Sequence, residues 1–482
     1  MDHTENVDQD AVLRARTMLL GSGRPDVGRQ VEAYRVLSAV SPLTYLPKLT
    51  EALLSYGYAP EVRDLPDVRL ARYAEAAAAA RRIDAGEHNR TELLVRALSA
   101  YRRELCAAGR RAEGLAVCEE MAEAGRWGFA HGQVPSPVYG QGPLAVVLAE
   151  EGRHQEAAEL YGESVRVARS KSSAKVSKTR ATSESSEATE ASDAPETPET
   201  PEASFWELLE WAAELDAAGC HDAALEVFAD IVAVSRAEVA RNGTALAILI
   251  WQLVHRAGML DTAGQCVEAR AARLEALTFL SELDRTGERE SWSNILAWWV
   301  TLYALSGRSA EPPPRPGSPA PPFGSPFLDW SPDVKKAYVD GLAALEEQVA
   351  GLKEAARAEP SGRLPEVVAL HRRLTIRAAV RRENRSHLIL KPLRPLFDEG
   401  VALARDAADA TDAAAAAAVA APADQAGTAG TAGAAGAAGA AGTEQSRKAL
   451  ARALTDRSMF LVAAGQYGEA HDDYREALDL LG

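Results

Sequence analysis

The sequence predicts an all-α protein, an α-solenoid of stacked helical hairpins interrupted by low-complexity inserts. Three observations predict it. Apolar residues recur with a period near 3.6 and show almost no strand-like alternation. Alanine, leucine, glutamate and arginine, all good helix formers, dominate the patterned stretches. A short turn of the form Ala/Glu-Ala/Glu-Gly-Arg/Gln/Cys also returns along the chain with the same apolar spacing on either side.

Composition sets the outer bounds. The 482 residues have room for two to four domains or one extended array, and 47% hydrophobic with 25% charged residues is ordinary for a globular chain. The formal charge of −16 argues against a general affinity for nucleic acid or for anionic membranes. Cys106, Cys118, Cys220 and Cys266 lie far apart with no CxxC pairing, which reads as buried small apolar residues in a reducing compartment rather than redox or metal chemistry. The start, MDHTENVDQD, is acidic and polar, so no secretory leader is expected there, and the runs ALAILIWQLV and ILAWWVTLYAL are too short to span a bilayer. A cytoplasmic location is expected.

Taken in order, residues 1–169 read as helical repeats. Residues 170–204, rich in Ser, Thr, Glu and Pro, read as a disordered linker. Repeats resume over 205–308, and a proline-rich spacer follows over 309–331. Residues 332–420 are helical with a degenerate pattern, and 421–445 form an Ala/Gly-rich tether. The last copy, 446–482, is expected to dock on the helices of 332–420, because one hairpin cannot bury its own faces.

The turn glycines anchor the repeat. Before Gly152, Leu144, Ala145 and Leu148 share one helical face; after it, Ala157, Tyr161 and Ser164 share another. Gly219 has Trp211, Ala212 and Leu215 before it, then Ala224, Phe228 and Ile231. Gly465 has Ser458 and Leu461, then Ala470, Tyr474 and Ala477. Gly109 repeats the spacing with Leu105, Cys118 and Met121, and Gly258 does so more faintly with Ile250, Val254, Ala263 and Val267. A small residue five positions after the glycine lets the two helices approach, and an aromatic nine positions after fills the space between them.

This pattern resembles the tetratricopeptide repeat family in its long-repeat bacterial form. The anchors lie further apart than the family's period of about 34 residues, and Arg457 and Arg102 stand where apolar or small residues are usual. The resemblance implies a superhelix that takes ligands against its first helices. The residues expected on that inner face are Arg96, Ser99, Arg103 and Cys106, then Tyr139, Gly142, Val146 and Ala149. Next come Trp206, Leu209, Ala213 and Asp216, then Ala245, Ile248, Gln252 and His255. The Lys/Asn/Arg clamp by which some members grip a terminal carboxylate is absent from these positions.

Marks of catalysis are few. There is no GxxxxGK[ST], no HExxH, no GxSxG and no Cys/His cluster at zinc spacing, and GSGRPDVG lacks dinucleotide spacing. No cofactor or metal is expected. His154 and His221 read as exposed helix starts, Trp292, Trp298 and Trp299 as core, and the basic run Arg372 to Arg385 as a solvated, salt-bridged helix. The function expected is a non-catalytic scaffold or adaptor holding a protein or peptide partner in its groove, with self-association left open. The alternatives are a sensor whose array binds a small peptide or metabolite and, more remotely, an enzyme with a helical site in 332–420.

Overall fold

Five turns in this chain are copies of one another, and each closes the same way. Gly109, Gly152, Gly219, Gly264 and Gly465 all have φ between 72° and 80°, the left-handed region that glycine enters without a Cβ penalty. The residue after each glycine donates its N–H to the carbonyl four residues before the glycine: Arg110 to Leu105, Arg153 to Leu148, Cys220 to Leu215, Gln265 to Leu260 and Gln466 to Leu461. That is the Schellman closure of a helix C-terminus. The next helix then starts two residues after the glycine. The small residue five positions after the glycine (Gly114, Ala157, Ala224, Ala269 or Ala470) donates back to the residue just past the glycine.

The computed structural model describes residues 8–20, 25–183, 205–242, 246–288, 295–313, 318–381, 390–420 and 431–482. Every regular element among them is helical, as the periodicity predicts. The chain divides into two compact units: residues 1–207 with 316–319 and 331–334, and residues 208–315 with 320–330 and 335–482.

The first unit contains α1 (Gln9–Leu20), α2 (Val27–Val40), α3 (Pro42–Gly57), α4 (Pro66–Arg81), α5 (Arg90–Ala107), α6 (Arg111–Ala130), α7 (Gly142–Glu150) and α8 (His154–Ser183). Each helix packs on the next in sequence, and α3 also touches α5. The alanine run of α4 is central: Ala76, Ala77, Ala79 and Ala80 are all buried, so α3 and α5 approach on either side. Close approach also selects Gly57 and Gly128, where a Cβ would lie 2.2 Å from the Tyr73 ring and 2.4 Å from Thr91 Oγ1. A buried ionic knot sits at the α6–α7 end. Arg111 reaches Glu150 at 2.8 Å and Asp333 at 2.8 Å and also pairs with Glu151, while Glu150 accepts the Ser331 N–H at 2.7 Å.

Helix α8 runs past Ser170 to Ser183, so the Ser/Thr-rich segment begins as a helix; the rest of it, 184–204, lies outside the described residues. Cys106 and Cys118 are buried as expected. Cys220 is half-buried and Cys266 exposed, because both stand at the turns rather than on a packed face.

The second unit contains α10 (His221–Asn242), α11 (Leu246–Thr262), α12 (Cys266–Thr286), α13 (Ile295–Ser306), α15 (Pro360–Val380), α16 (Leu390–Ala420), α17 (Thr431–Ala463) and α18 (Tyr467–Leu481). It also holds all but the first three residues of α9 (Phe205–Ala217) and of α14 (Pro332–Ala358). Residues 421–430 of the Ala/Gly tract lie outside the described residues, and from Thr431 the tract is the first part of α17. Helix α17 packs along α16, and α18 packs on both α17 and α12. The last hairpin therefore touches the central repeats as well as the helices of 332–420.

Aromatic residues knit these elements together. Phe397 of α16 stacks on Phe460 of α17 with centroids 4.4 Å apart, and Trp299 and Tyr303 of α13 lie within 6.1 Å of those rings. Trp298 and Trp299 are core as expected, while Trp292 lies outside the described residues. The end of the proline-rich segment is folded down rather than extended. Trp330 donates to the Ser325 carbonyl at 3.0 Å and meets Phe323 and Tyr338 edge-on, and a Cβ on Gly324 would fall 2.4 Å from that of Ala213.

The basic run of α15 departs from its expected solvated role. Arg372 pairs with Asp456, and Arg373 and Arg377 both pair with the buried carboxylate of Glu311. Periodicity alone spread these arginines over several faces; buried acids on other elements turn three of them inward. Residues 382–385 of the run lie outside the described residues.

Candidate binding chamber

The fifth turn corrects the sequence reading. Gly258 lies inside α11, and the left-handed glycine is Gly264, six residues later. With Gly264 as anchor the copy becomes regular: Ala257 and Leu260 before it, and Ala269 and Ala276 after it, are all buried. Arg256 and Arg273 occupy the positions of the large apolar and the aromatic residue, which hid the repeat. The remaining signal was the turn itself, Ala263-Gly264-Gln265, which matches Ala464-Gly465-Gln466. Ala263, assigned as the small packing residue, is exposed in the turn, and Val267 is 80% exposed.

Two substitutions test this placement. Gly264→Ala should lose about 1–2 kcal/mol, because alanine must adopt φ near +74°. Gly258→Ala should gain about 0.5–1 kcal/mol, because the site is helical with open space where the Cβ would go. Urea midpoints that shift in the same direction would place the turn elsewhere.

The misplaced anchor also turned the predicted inner face. At about 100° per residue, a six-residue error rotates a helical face by about 120° from its true direction. Ile248 and Gln252 are accordingly buried in the core rather than facing a groove. The residues thirteen, ten, six and three before Gly264 are Trp251, Val254, Gly258 and Asp261, and all four line a chamber in the second unit. The same offsets before Gly465 give Arg452, Thr455 and Met459, which line it too, and Val462, which is buried outside it. Before Gly219, Ala213 and Asp216 line it, whereas Leu209 is fully buried and Trp206 is half-buried outside it.

In the first unit, Arg96 and Arg103 are exposed and Ser99 half-buried on α5. Tyr139 falls in the loop before α7 and packs on the core, because α7 starts only at Gly142 and is nine residues long. Sequence offsets treated that loop as a helix.

The chamber encloses about 2310 Å³. Its apolar wall comes from α12, where Val267, Ala271, Leu274 and Leu277 follow one another at helical spacing, with Val267 80% and Leu274 50% exposed. Leu481 of α18 adds another exposed apolar side chain. The aromatic side includes Phe228, Trp251, Trp299 and Tyr474.

Most charged groups facing the chamber are already partnered. Asp216 pairs with Arg308 and with His221, Asp261 with Arg273, and Asp456 with Arg372. His255 lines the wall against the Phe228 ring, with centroids 5.1 Å apart. Burial pushes its pKa down to about 4 against the weaker pull of Asp216, so the imidazole is neutral near pH 7. Among the described residues, no group of three His, Cys, Asp or Glu side chains is placed to hold a metal ion. Among the same residues, no helix is long and apolar enough to cross a membrane.

Comparison with protein-family models gives no match, and no curated protein matches. Twelve chains of solved structures do match. One of them is described as a "circular tandem repeat protein with novel repeat topology and enhanced subunit contact surfaces"; it is 13% identical, over 98% of this chain and 90% of that one, with a TM-score of 0.17. A likeness that weak carries nothing for this chain. Its fold class rests on the helical hairpins and their five shared turns.

Proposed function

We propose that this protein is a non-catalytic helical-repeat scaffold whose second unit takes a polypeptide segment into the chamber. The observation that carries this reading is the unpartnered apolar stripe of α12 facing that space. Exposed Val267 and Leu274 sit seven residues apart, as the receiving side of a helix-in-groove contact would place them. Size points the same way. Small-molecule pockets run from about 300 to 1,000 Å³, whereas this chamber could hold roughly 15 residues of a helix about 10–12 Å across. The five matching turns support the tetratricopeptide-like reading, and four unpaired cysteines fit a cytoplasmic setting. Asp216 and His255 remain candidate contacts from the original face.

Selection of a displayed random 16-residue peptide library on the full chain tests this. Enriched peptides should carry apolar residues at helical spacing, and Leu274→Asp should weaken them at least tenfold. Leu13→Asp, equally exposed on α1, should leave them unchanged. Failure to enrich any sequence, or binding indifferent to Leu274→Asp, would overturn the proposal.

A further inference from the structure

Most charges in the chamber are paired, but on α17 one arginine lacks an anion and stands beside a second arginine. Arg452 is exposed to the chamber and, among the described residues, has no hydrogen bond or ion pair. The nearest acid is Asp456, one turn along the same helix. Both its oxygens are taken by Arg372, Oδ2 at 2.6 Å from Nε and Oδ1 at 3.3 Å from Nη2. Arg372 is further fixed by Ser306 Oγ at 2.7 Å and by the Tyr303 ring at 5.6 Å, so Asp456 has no freedom to turn toward Arg452. Lys448, one turn the other way, is paired with Glu444. The like charge of Arg372 and then desolvation depress the Arg452 pKa, the direction expected of a cation without an anion.

We infer that Arg452 selects the chamber's occupant, a polypeptide segment that presents a side-chain carboxylate in the middle of an otherwise apolar helical face. This rests on the proposed peptide-binding role and gives that role its specificity. A carboxylate meeting Arg452 would complete a four-charge array, Asp456–Arg372–Arg452–ligand, with two acids balancing two arginines. The carboxylate would offset the repulsion between the two arginines with a charge-assisted hydrogen bond. The chain's overall charge of −16 disfavours a polyanion as the occupant. Charges farther than a Debye length of about 8–10 Å are largely screened, so one carboxylate can answer Arg452 locally, whereas a polyanion would also face the chain's other acids.

The test repeats the selection with peptides that are displayed internally and so have no free C-terminus, on the wild-type chain and on Arg452→Glu. On wild type, central Asp or Glu should be enriched, and replacing that acid with its amide should weaken binding at least tenfold. On Arg452→Glu the enrichment should reverse to central Lys or Arg. The melting temperature of Arg452→Gln should equal or exceed that of wild type, because the side chain holds no partner, and this separates selection from folding. Enriched peptides without an acidic preference, or with the same preference on both proteins, would overturn this inference and leave the peptide-binding role standing. No enrichment on either protein would overturn both. Tight binding of a small anion alone, read as an Arg452-dependent thermal shift with acetate or inorganic phosphate and no peptide enrichment, would likewise overturn it.

Discussion

Replacing Arg111 with alanine should remove about 3–5 kcal/mol from the stability of the first unit, the range for stripping one partner from a buried ion pair. The side chain is only 12% exposed and bonds carboxylates on Glu150, Glu151 and Asp333, and the Glu150 side chain is fully buried. Without the guanidinium, Glu150 keeps the Ser331 N–H but has no cation, and it sits where water cannot replace one. Desolvation would then favour its neutral form, so the deficit should be largest near pH 7 and shrink as the pH falls toward 5. Arg111→Lys should recover only part of the loss, since one ammonium cannot bridge three acids as a planar fork does. Arg111→Met combined with Glu150→Gln should recover more. Urea melts at pH 7 and pH 5 read both effects; a loss under 1 kcal/mol at pH 7 would mean that the knot is solvated.

Phe460→Ala should cost the second unit about 3–5 kcal/mol, the usual range for emptying a buried phenylalanine site. Phe460 is 1% exposed and contacts Phe397 and Trp299 from two other helices. Its ring thus joins α13, α16 and α17, and these helices cannot all close on the space it leaves. The near-ultraviolet dichroism of the neighbouring tryptophan should weaken as well. A small loss with an unchanged aromatic signal would show that the three helices hold together without this cluster. Phe460→Leu should recover about half or more, because volume rather than aromaticity is the larger part of the effect.

The helical class and four of the five turns were legible in the sequence, because both are written in local chemistry. Gly109, Gly152, Gly219 and Gly465 each stand between two amphipathic faces, and the Schellman closure needs only the residues on either side of the glycine. The turn at Gly264 was obscured by side chains. Arg256 and Arg273 replace the apolar markers, and Gly258 offered a second glycine at a plausible spacing. Arg457 shows how such a departure is accommodated: it stands at an apolar position but bonds Asp473 twice at 2.7 Å and also reaches Asp398. Its acids lie on α18 and α16, and no spacing rule connects them.

The sequence by itself determined that this chain is built of helical hairpins, where most of them turn, and that small residues sit five positions past each turn. These are consequences of backbone φ and of a 3.6-residue period, which act over a few neighbours. Only the tertiary structure decided which faces stay open and which charges find partners. Arg372 was one of many arginines in a basic run until Asp456, 84 positions along the chain, was placed 2.6 Å from it. That pairing leaves Arg452, one turn from Asp456, without an anion. Charge pairing acts through space, over distances that the order of residues does not record.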